Sequence, residues 1–301
     1  MCCAVLRGVA TLGIQSFSMI SSAYFNPTAY GNFENANYWV WHLSHLLADM
    51  KFMSIFSILF GAGTVLMSDR RTARGLPATG FHYRRMGWLL VIGLLHAHLL
   101  WQGDILVTYA LCGSAVFWFR NLSPRVLWVT GILCFSVASG VSILTGLSIP
   151  FWPPKDVLQM QQEVWQPGAA EIQKEIATYL QPWIQQLPLR SKEAFFIETF
   201  VFLFLFVWRC SGLMLIGMAL FKQGVLTGER SKSFYAALIT IAAFIGGPLI
   251  ALGIDRNFQT GWNMGYSFFM GGQFNYWGSP LISLGYVGAI MLIYKSDVWS
   301  R

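Results

Sequence analysis

The chain has 301 residues, of which 55% are hydrophobic, 16% aromatic and only 11% charged. About a quarter of the residues of an ordinary soluble domain are charged, so this composition excludes a soluble globular protein and predicts a polytopic membrane protein. The net charge of +7 does not indicate a nucleic-acid partner, because basic residues of membrane proteins concentrate in cytoplasmic loops. The five cysteines show no Cys-x-x-Cys spacing, so neither a disulfide framework nor a metal site is expected.

Eight hydrophobic segments approach or exceed the ~20 residues that a helix needs to cross a bilayer. They are Ala4–Phe25, Met50–Ser68, Met86–Trp101, Ile105–Phe119, Val126–Ile149, Thr199–Phe221, Phe234–Ile254 and Ser279–Tyr294. We therefore predict an all-α fold, a polytopic transmembrane helix bundle with about eight spanning helices that forms a single membrane domain over residues 1–301. The short connection between the third and fourth segments predicts a tight helical hairpin.

The distribution of lysine and arginine predicts the orientation of these segments. If Arg7 and the loop Asp69–Arg85 are cytoplasmic, thirteen of the twenty basic residues lie on that side of the membrane. Because basic residues favour the cytoplasmic side, we predict a cytoplasmic N-terminus.

The one long polar connection, residues 150–198, is external in this orientation. Its apolar residues recur at helical spacing among Glu and Gln and are interrupted by Pro182, which predicts an amphipathic stretch. We expect this external amphipathic loop to lie on the membrane surface or to cover the end of the bundle.

Two histidines lie among apolar residues near the end of the third segment, where ionisable groups are costly and usually face a protein interior. His96 and His98 are two positions apart, which separates them by about 200° on a helix, so only one can face the bundle. Gly93 lies about one helical turn before His96 and allows close helix contact, so we predict that His96 is the inward one. His96 is then either a catalytic residue or a helix-contact residue.

Asp104 follows His96 by eight residues and has two interpretations. As a hydrogen-bond partner, it would fix the imidazole tautomer and stabilise an imidazolium, as general-base catalysis requires. As an N-cap, it would accept a backbone N–H of the next helix. Lys51 opens the second segment on the same side, where it either binds substrate or extends its ammonium group to the membrane interface.

Arg209 lies near the middle of the Thr199–Phe221 segment, too deep to reach the interface easily, and therefore requires a partner. The candidates are an inward carboxylate, carbonyls at a helix end, or an anionic ligand such as a phosphate or an acyl-thioester carrier. A guanidinium group is well shaped for such anions.

Small residues predict two packing features. Ser54, Ser57 and Gly61 share one face of the second segment, which is typical of tight helix contact. Gly246 and Gly247, followed by Pro248, predict a kink in the seventh segment.

Five sequence blocks in a fixed order cover most of the chain. They are Leu6–Ile14, Phe25–Gly31, Lys51–Gly63, Leu95–Leu106 and Gly212–Leu220. In order and spacing they resemble the successive motifs of the YeiB family, which consists of bacterial inner-membrane proteins distantly similar to transmembrane acyltransferases. The resemblance implies a multi-pass protein of the bacterial inner membrane, and it implies functional roles for Arg7, Lys51, His96 and Asp104.

The chain also departs from that family pattern. The family usually has an aspartate three positions before the arginine of the first motif, where this chain has Ala4. Family members usually continue through a further motif and further helices, whereas this chain stops at Arg301. We therefore expect a truncated or divergent member, which is inactive if the missing elements complete the site.

The enzyme hypothesis is transfer of an acyl group to a cell-envelope acceptor. His96 would act as general base, Asp104 would orient it, and Arg209, Arg7 and Lys51 would hold an anionic acyl donor such as acyl-CoA. The alternatives are a transporter or permease component, whose polar groups line a path, and a structural membrane protein. The expected partner in each case is membrane lipid, and neither a cofactor nor an oligomeric state follows from the residues.

Overall fold

The computed structural model describes residues 21–29 and 34–296, and every regular element in these ranges is helical. Numbered in chain order, the helices are α1 (Ser21–Phe25), α2 (Asn35–Leu47), α3 (Lys51–Thr72), α4 (Thr79–Leu99), α5 (Leu106–Val116), α6 (Pro124–Ser148), α7 (Pro154–Met160), α8 (Ala169–Tyr179), α9 (Trp183–Lys222), α10 (Lys232–Gln259) and α11 (Met264–Lys295). The predicted all-α fold is confirmed. Arg7 and most of the predicted first segment lie outside the described residues.

Within the described residues, five helical stretches are long and apolar enough to cross a membrane. They are Ala36–Thr72, Pro124–Phe151, Trp183–Lys222, Lys232–Gln259 and Met264–Lys295. Each contains one of the eight predicted segments. The third predicted segment overlaps the second half of α4, and the fourth coincides to within one residue with the shorter apolar helix Leu106–Phe119. Neither is among the five. The structure thus supports five spans, and the total of about eight stays a prediction.

Helices α3 and α9 form the centre of the bundle and contact each other backbone to backbone. A Cβ atom added to Gly61 would lie 1.9 Å from the carbonyl oxygen of Met214, and one added to Gly217 would lie 2.0 Å from that of Ile58. Only glycine allows this approach, so the predicted small-residue packing of α3 is confirmed. Nearly every residue of α9 from Arg209 to Leu220 is buried as a result.

Where the sequence predicts a kink in the seventh segment, the helix has a π-helical turn over Ala242–Gly246, directly before Gly247 and Pro248. Proline has no backbone N–H to donate, and a wider turn before it accommodates the interrupted hydrogen-bond ladder. A second proline, Pro280, lies inside α11. It leaves the carbonyl of Tyr276, four residues earlier, without its helical donor.

The connection over residues 150–198 is helical for most of its length. It forms α7 and α8, breaks at Leu180–Pro182, and continues as the first part of α9. The predicted interruption at Pro182 is therefore present. The indole N–H of Trp183 donates to the carbonyl of Leu99 at 2.6 Å, and Arg190 Nη1 donates to that of Leu100 at 2.6 Å. These bonds satisfy carbonyls at the end of α4, which have no partner within that helix.

Candidate functional site

His96 and Asp104 lie together where α4 turns into α5. His96 Nδ1 and Asp104 Oδ1 are 2.9 Å apart, and Asp104 Oδ2 accepts the backbone N–H of Val107, also at 2.9 Å. The carboxylate therefore orients the histidine and caps α5 at once, so both interpretations of Asp104 hold. The hydrogen bond to His96, in the third segment, is the one that the first interpretation requires.

Close packing of α4 against α5 brings these two side chains together. A Cβ atom on Gly93 would lie 2.7 Å from the backbone nitrogen of Val107, so the two helices meet one turn before His96. The ring of Trp101 stands edge-on to the imidazole, with centroids 6.4 Å apart. The sharp turn at Gly103 is tight enough that a Cβ there would lie 2.4 Å from the Trp101 ring.

The histidine and the carboxylate differ in their access to the surroundings. The Asp104 side chain is 2% exposed and that of His96 is 35% exposed. With Nδ1 held by Asp104, the second ring nitrogen, Nε2, has no hydrogen-bond partner among the described residues. In this arrangement Asp104 fixes the tautomer of the His96 ring through Nδ1 and leaves Nε2 available to accept a proton, as a general base requires.

His98 is committed to other contacts. Its Nδ1 lies 2.6 Å from Ser191 Oγ and its Nε2 lies 3.2 Å from Glu198 Oε2, both in the first part of α9. These partners differ from that of His96, as the rotation of about 200° between the two positions predicts. His98 is therefore a contact between α4 and α9 rather than an isolated interfacial side chain.

The same end of α4 is covered by polar contacts from α8 and α9. Tyr179 donates from its hydroxyl group to Glu193 Oε2 at 3.0 Å, and Gln102 Nε2 donates to the Tyr179 oxygen at 2.9 Å. Burial raises the pKa of Tyr179, and the Glu193 carboxylate adds to this effect, so the phenol keeps its proton. Residues 179–198 thus form a hydrogen-bonded cover beside the His96–Asp104 pair.

Lys51 lies in a second polar group, between α2, α3 and α11. It is completely buried, and its ammonium group donates to the carbonyl of His45 and, at 2.6 Å, to Asn275 Oδ1. The interpretation that Lys51 extends to the membrane interface is therefore wrong. The physical reason is that α2, which precedes the predicted start of the second segment, and α11 supply acceptors on either side of it.

Asp49 is close in sequence to Lys51 but is held by neutral or histidine donors. Its Oδ1 accepts the Tyr24 hydroxyl at 3.0 Å, while Oδ2 accepts Asn275 Nδ2 at 3.0 Å and lies 3.1 Å from His45 Nδ1. Asn275 thus bridges the carboxylate and Lys51 through its two amide atoms.

Arg209 joins this polar group from α9 and is also completely buried. Nη1 donates at 3.2 Å to the Tyr276 carbonyl that Pro280 leaves free, and Nη2 donates to Ser54 Oγ at 3.0 Å. The guanidinium carbon lies 4.6 Å from the centroid of the Tyr276 ring. Nε is buried and has no hydrogen-bond partner in the described part of the chain. Of the kinds of partner weighed from the sequence, a backbone carbonyl is the one observed. The hydroxyl group of Ser54 and the ring of Tyr276 are further partners that the sequence did not suggest.

The structure therefore brings the predicted residues into two groups. His96 and Asp104 lie between α4 and α5, Lys51 and Arg209 lie among α3, α9 and α11, and Arg7 is outside the described residues. Asn275 and Tyr276 were not anticipated. The signals that could have indicated them are an amide residue in an otherwise apolar helix and a proline four residues after Tyr276. Within the described ranges, no group of three or more His, Cys, Asp or Glu side chains is placed to hold a metal ion.

Comparison with known sequences identifies the family. The model of the family described as "Protein of unknown function (DUF418)" matches residues 220–301, which include Asn275 and Tyr276. The uncharacterized protein YeiB of Escherichia coli (strain K12) is 30% identical over 258 residues, which cover 82% of this chain and 63% of that protein. The chain belongs to the YeiB family.

A second relative extends the family comparison. The uncharacterized protein YxaH of Bacillus subtilis (strain 168) is 30% identical over 152 residues, covering 47% of this chain and 37% of its own length. The chain thus spans less than two thirds of the length of these YeiB family members. No solved structure matches. Both relatives are described as uncharacterized, so the activity of this YeiB family chain has to be inferred from its site.

Proposed function

We propose that this protein is an acyltransferase of the bacterial inner membrane that transfers an acyl group to a hydroxyl or amine of a cell-envelope acceptor. The observation that carries this proposal is the His96–Asp104 pair, in which a buried, capped carboxylate holds Nδ1 of a half-exposed imidazole and leaves Nε2 without a partner. The N-terminus is cytoplasmic in this proposal, and the pair faces the external side.

The proposed reaction follows from this geometry. His96 Nε2 removes the proton of the acceptor as its oxygen or nitrogen attacks the acyl carbonyl carbon. Asp104 stabilises the resulting imidazolium through Nδ1. Collapse of the tetrahedral intermediate breaks the bond to the leaving group, and the imidazolium returns the proton to that group. With a thioester donor such as acyl-CoA, the products are an acylated acceptor and a free thiol.

The donor is an anionic molecule, because the other predicted residues are cationic. Arg209, Lys51 and Arg7 are assigned to its anionic part. For Arg209 and Lys51, this assignment is supported by their complete burial without a carboxylate partner in the described part of the chain. Membrane lipid is the expected surrounding partner.

The test uses the full chain purified into lipid nanodiscs, with acetyl-CoA as donor and glycerol or glucosamine as acceptor. Release of free thiol measures turnover. We expect His96→Ala to lower the rate by roughly 10²–10⁴-fold, the usual contribution of a general base. His98→Ala is the matched control, because His98 has no free ring nitrogen. Equal rates in the wild type and His96→Ala, or no release with either acceptor, would contradict the proposal.

A transporter is the second candidate, favoured by three π-helical segments in the long helices. These are Ile197–Phe206 in α9, Ala242–Gly246 in α10 and Ser267–Gly271 in α11. Such irregular turns occur where transporter helices bend around a central site. Uptake of a labelled anion into proteoliposomes, with no thiol release from acetyl-CoA, would favour this function over acyl transfer.

A further inference from the structure

Two fully buried cations occupy one small region of the bundle. Lys51 contacts Asn275, and Arg209 contacts the adjacent residue, Tyr276. Arg209 also contacts Ser54, which lies on α3 one turn after Lys51. The two cations therefore share a single site at the junction of α3, α9 and α11.

Neither cation forms an ion pair in the part of the chain that the structure describes. Within residues 21–29 and 34–296, the side chains of Lys51 and Arg209 take part in none of the ion pairs observed. Twelve of the thirteen acidic residues lie in these ranges, and the remaining one, Asp297, follows Lys295. Lys295 is twenty residues after Asn275, or about 30 Å along α11. No described carboxylate therefore forms an ion pair with Arg209.

The hydrogen-bonding capacity of the pair is also incompletely used. A guanidinium group has five N–H donors, and Arg209 uses two of them on neutral acceptors, while its Nε is buried without a partner. An ammonium group has three donors, and Lys51 uses two. The first turn of α3 adds the positive end of a 22-residue helix, and its N-cap has no side-chain acceptor.

From these contacts we propose that Lys51 and Arg209 form a buried anion-binding site that takes one carboxylate or phosphate group. Such oxyanions accept several N–H bonds at once and match the guanidinium edge in shape. The assignment of this site as the donor-binding site of an enzyme rests on the proposed function. Anion binding itself is measured without turnover.

Charge and position narrow the class of ligand. Lys51 and Arg209 contribute two positive charges and Asp49 one negative charge, so these three residues leave one excess positive charge for an anionic group. Asn275 acts as a positioning residue. Its amide oxygen accepts a hydrogen bond from Lys51, and its amide nitrogen donates one to the carboxylate of Asp49. The shared chemistry is a carboxylate or phosphate, carried either by a small solute or by a lipid headgroup.

The experiment measures thermal unfolding of the purified full chain as a function of anion concentration. Sodium phosphate and sodium acetate are titrated in phosphatidylcholine nanodiscs, and a parallel arm replaces part of the phosphatidylcholine with phosphatidylglycerol. We expect saturable stabilisation of the wild type and an apparent affinity roughly tenfold to a hundredfold weaker in Lys51→Met and Arg209→Met, since each removes charge-assisted hydrogen bonds.

Lys222→Met is the matched control, because Lys222 also lies on α9 and also donates to a backbone carbonyl, that of Leu122, but lies outside this site. It should respond as the wild type does, which separates specific binding from the general stabilisation that phosphate gives to proteins. His96→Ala should also bind normally, because His96 lies outside this site. Anion binding by a wild type that shows no turnover would contradict the proposed acyl transfer alone and leave the anion site standing.

Comparing the titrations with dissolved anions and with phosphatidylglycerol identifies the source of the anion. A response to dissolved phosphate or acetate indicates a small solute, and a response to phosphatidylglycerol alone indicates a lipid headgroup. Because a buried charge without a counterion is unfavourable, Lys51→Met should also melt at a higher temperature than the wild type in anion-free buffer. Identical responses of the wild type, Lys51→Met and Arg209→Met, or no response in any arm, would overturn the proposal.

Discussion

Replacing Asp104 by asparagine separates the two roles that the structure gives this carboxylate. In the wild type, one carboxylate oxygen holds His96 Nδ1 and the other accepts the Val107 N–H, both at 2.9 Å. Asparagine is as good an N-cap as aspartate, and its single amide oxygen can keep the Val107 bond. Its amide N–H group then faces His96, so Nδ1 becomes an acceptor and the ring proton moves to Nε2.

The expected consequences differ in size. Folding loses at most about one hydrogen bond, worth roughly 1 kcal/mol, because the cap is retained. Catalysis loses the basic Nε2, which corresponds to roughly 10²–10⁴-fold in rate or about 3–5 kcal/mol in activation free energy. Asp104→Asn should therefore abolish most acyl transfer while changing the melting temperature little. Asp104→Ala should reduce both, because it also removes the cap.

The assay combines thiol release from acetyl-CoA with a thermal melt of the same preparations. Asp255→Asn is the control, since Asp255 is an exposed aspartate of α10 that accepts one side-chain hydrogen bond, from Gln259. It should leave both measurements unchanged. The reasoning is refuted if Asp104→Asn turns over at the wild-type rate, or if its activity falls only in proportion to the fraction of unfolded protein.

Three further predictions concern stability and orientation. His98→Ala should lower stability by about 1–3 kcal/mol through loss of the contacts between α4 and α9 yet keep the turnover of the folded protein, as calorimetry with kinetics would show. A cysteine at Gly75 should be protected from an impermeant maleimide added to intact cells and one at Ala170 should be labelled, and the opposite pattern would reverse the proposed orientation. Gly61→Ala should destabilise the bundle by about 1–3 kcal/mol, because its Cβ would lie 1.9 Å from a carbonyl oxygen of α9. Gly87→Ala, where nothing lies within 4 Å, should be neutral in the same thermal melt.

The range of each contact along the chain explains which parts of the site were predictable. His96 and Asp104 are eight residues apart, so helix periodicity and one short turn were enough to bring them together. Lys51 and Asn275 are 224 residues apart, and Arg209 and Ser54 are 155 residues apart. Hydropathy locates the helices that carry these residues but does not determine which helices are neighbours. The sequence therefore indicated that Arg209 needs a partner without identifying one.

The misinterpretation of Lys51 has a related cause. A lysine at the start of an apolar segment usually extends to the membrane interface, and that pattern holds when no other element covers the helix end. Here α2 precedes α3 and turns into it through Met50, whose φ of 62° is unusual for a residue other than glycine. The polar and aromatic composition of α2 hides it from a search for purely apolar segments.

The hydrogen bonds of Lys51 and Arg209 do not by themselves account for their charge. An uncharged amide side chain could donate to the same carbonyl, amide and hydroxyl oxygens, and burying it would avoid an effective penalty of several kcal/mol per ion. The ring of Tyr276 offsets only about 0.5–2 kcal/mol of that penalty for Arg209. Helix contact alone is thus a poor explanation for two cations at this depth. Asp49 offsets one of the two charges, and the proposed anion offsets the other. The residues that fix the pair come from α2, α3 and α11, and α9 supplies Arg209 itself, so the site exists only when these four helices are assembled together.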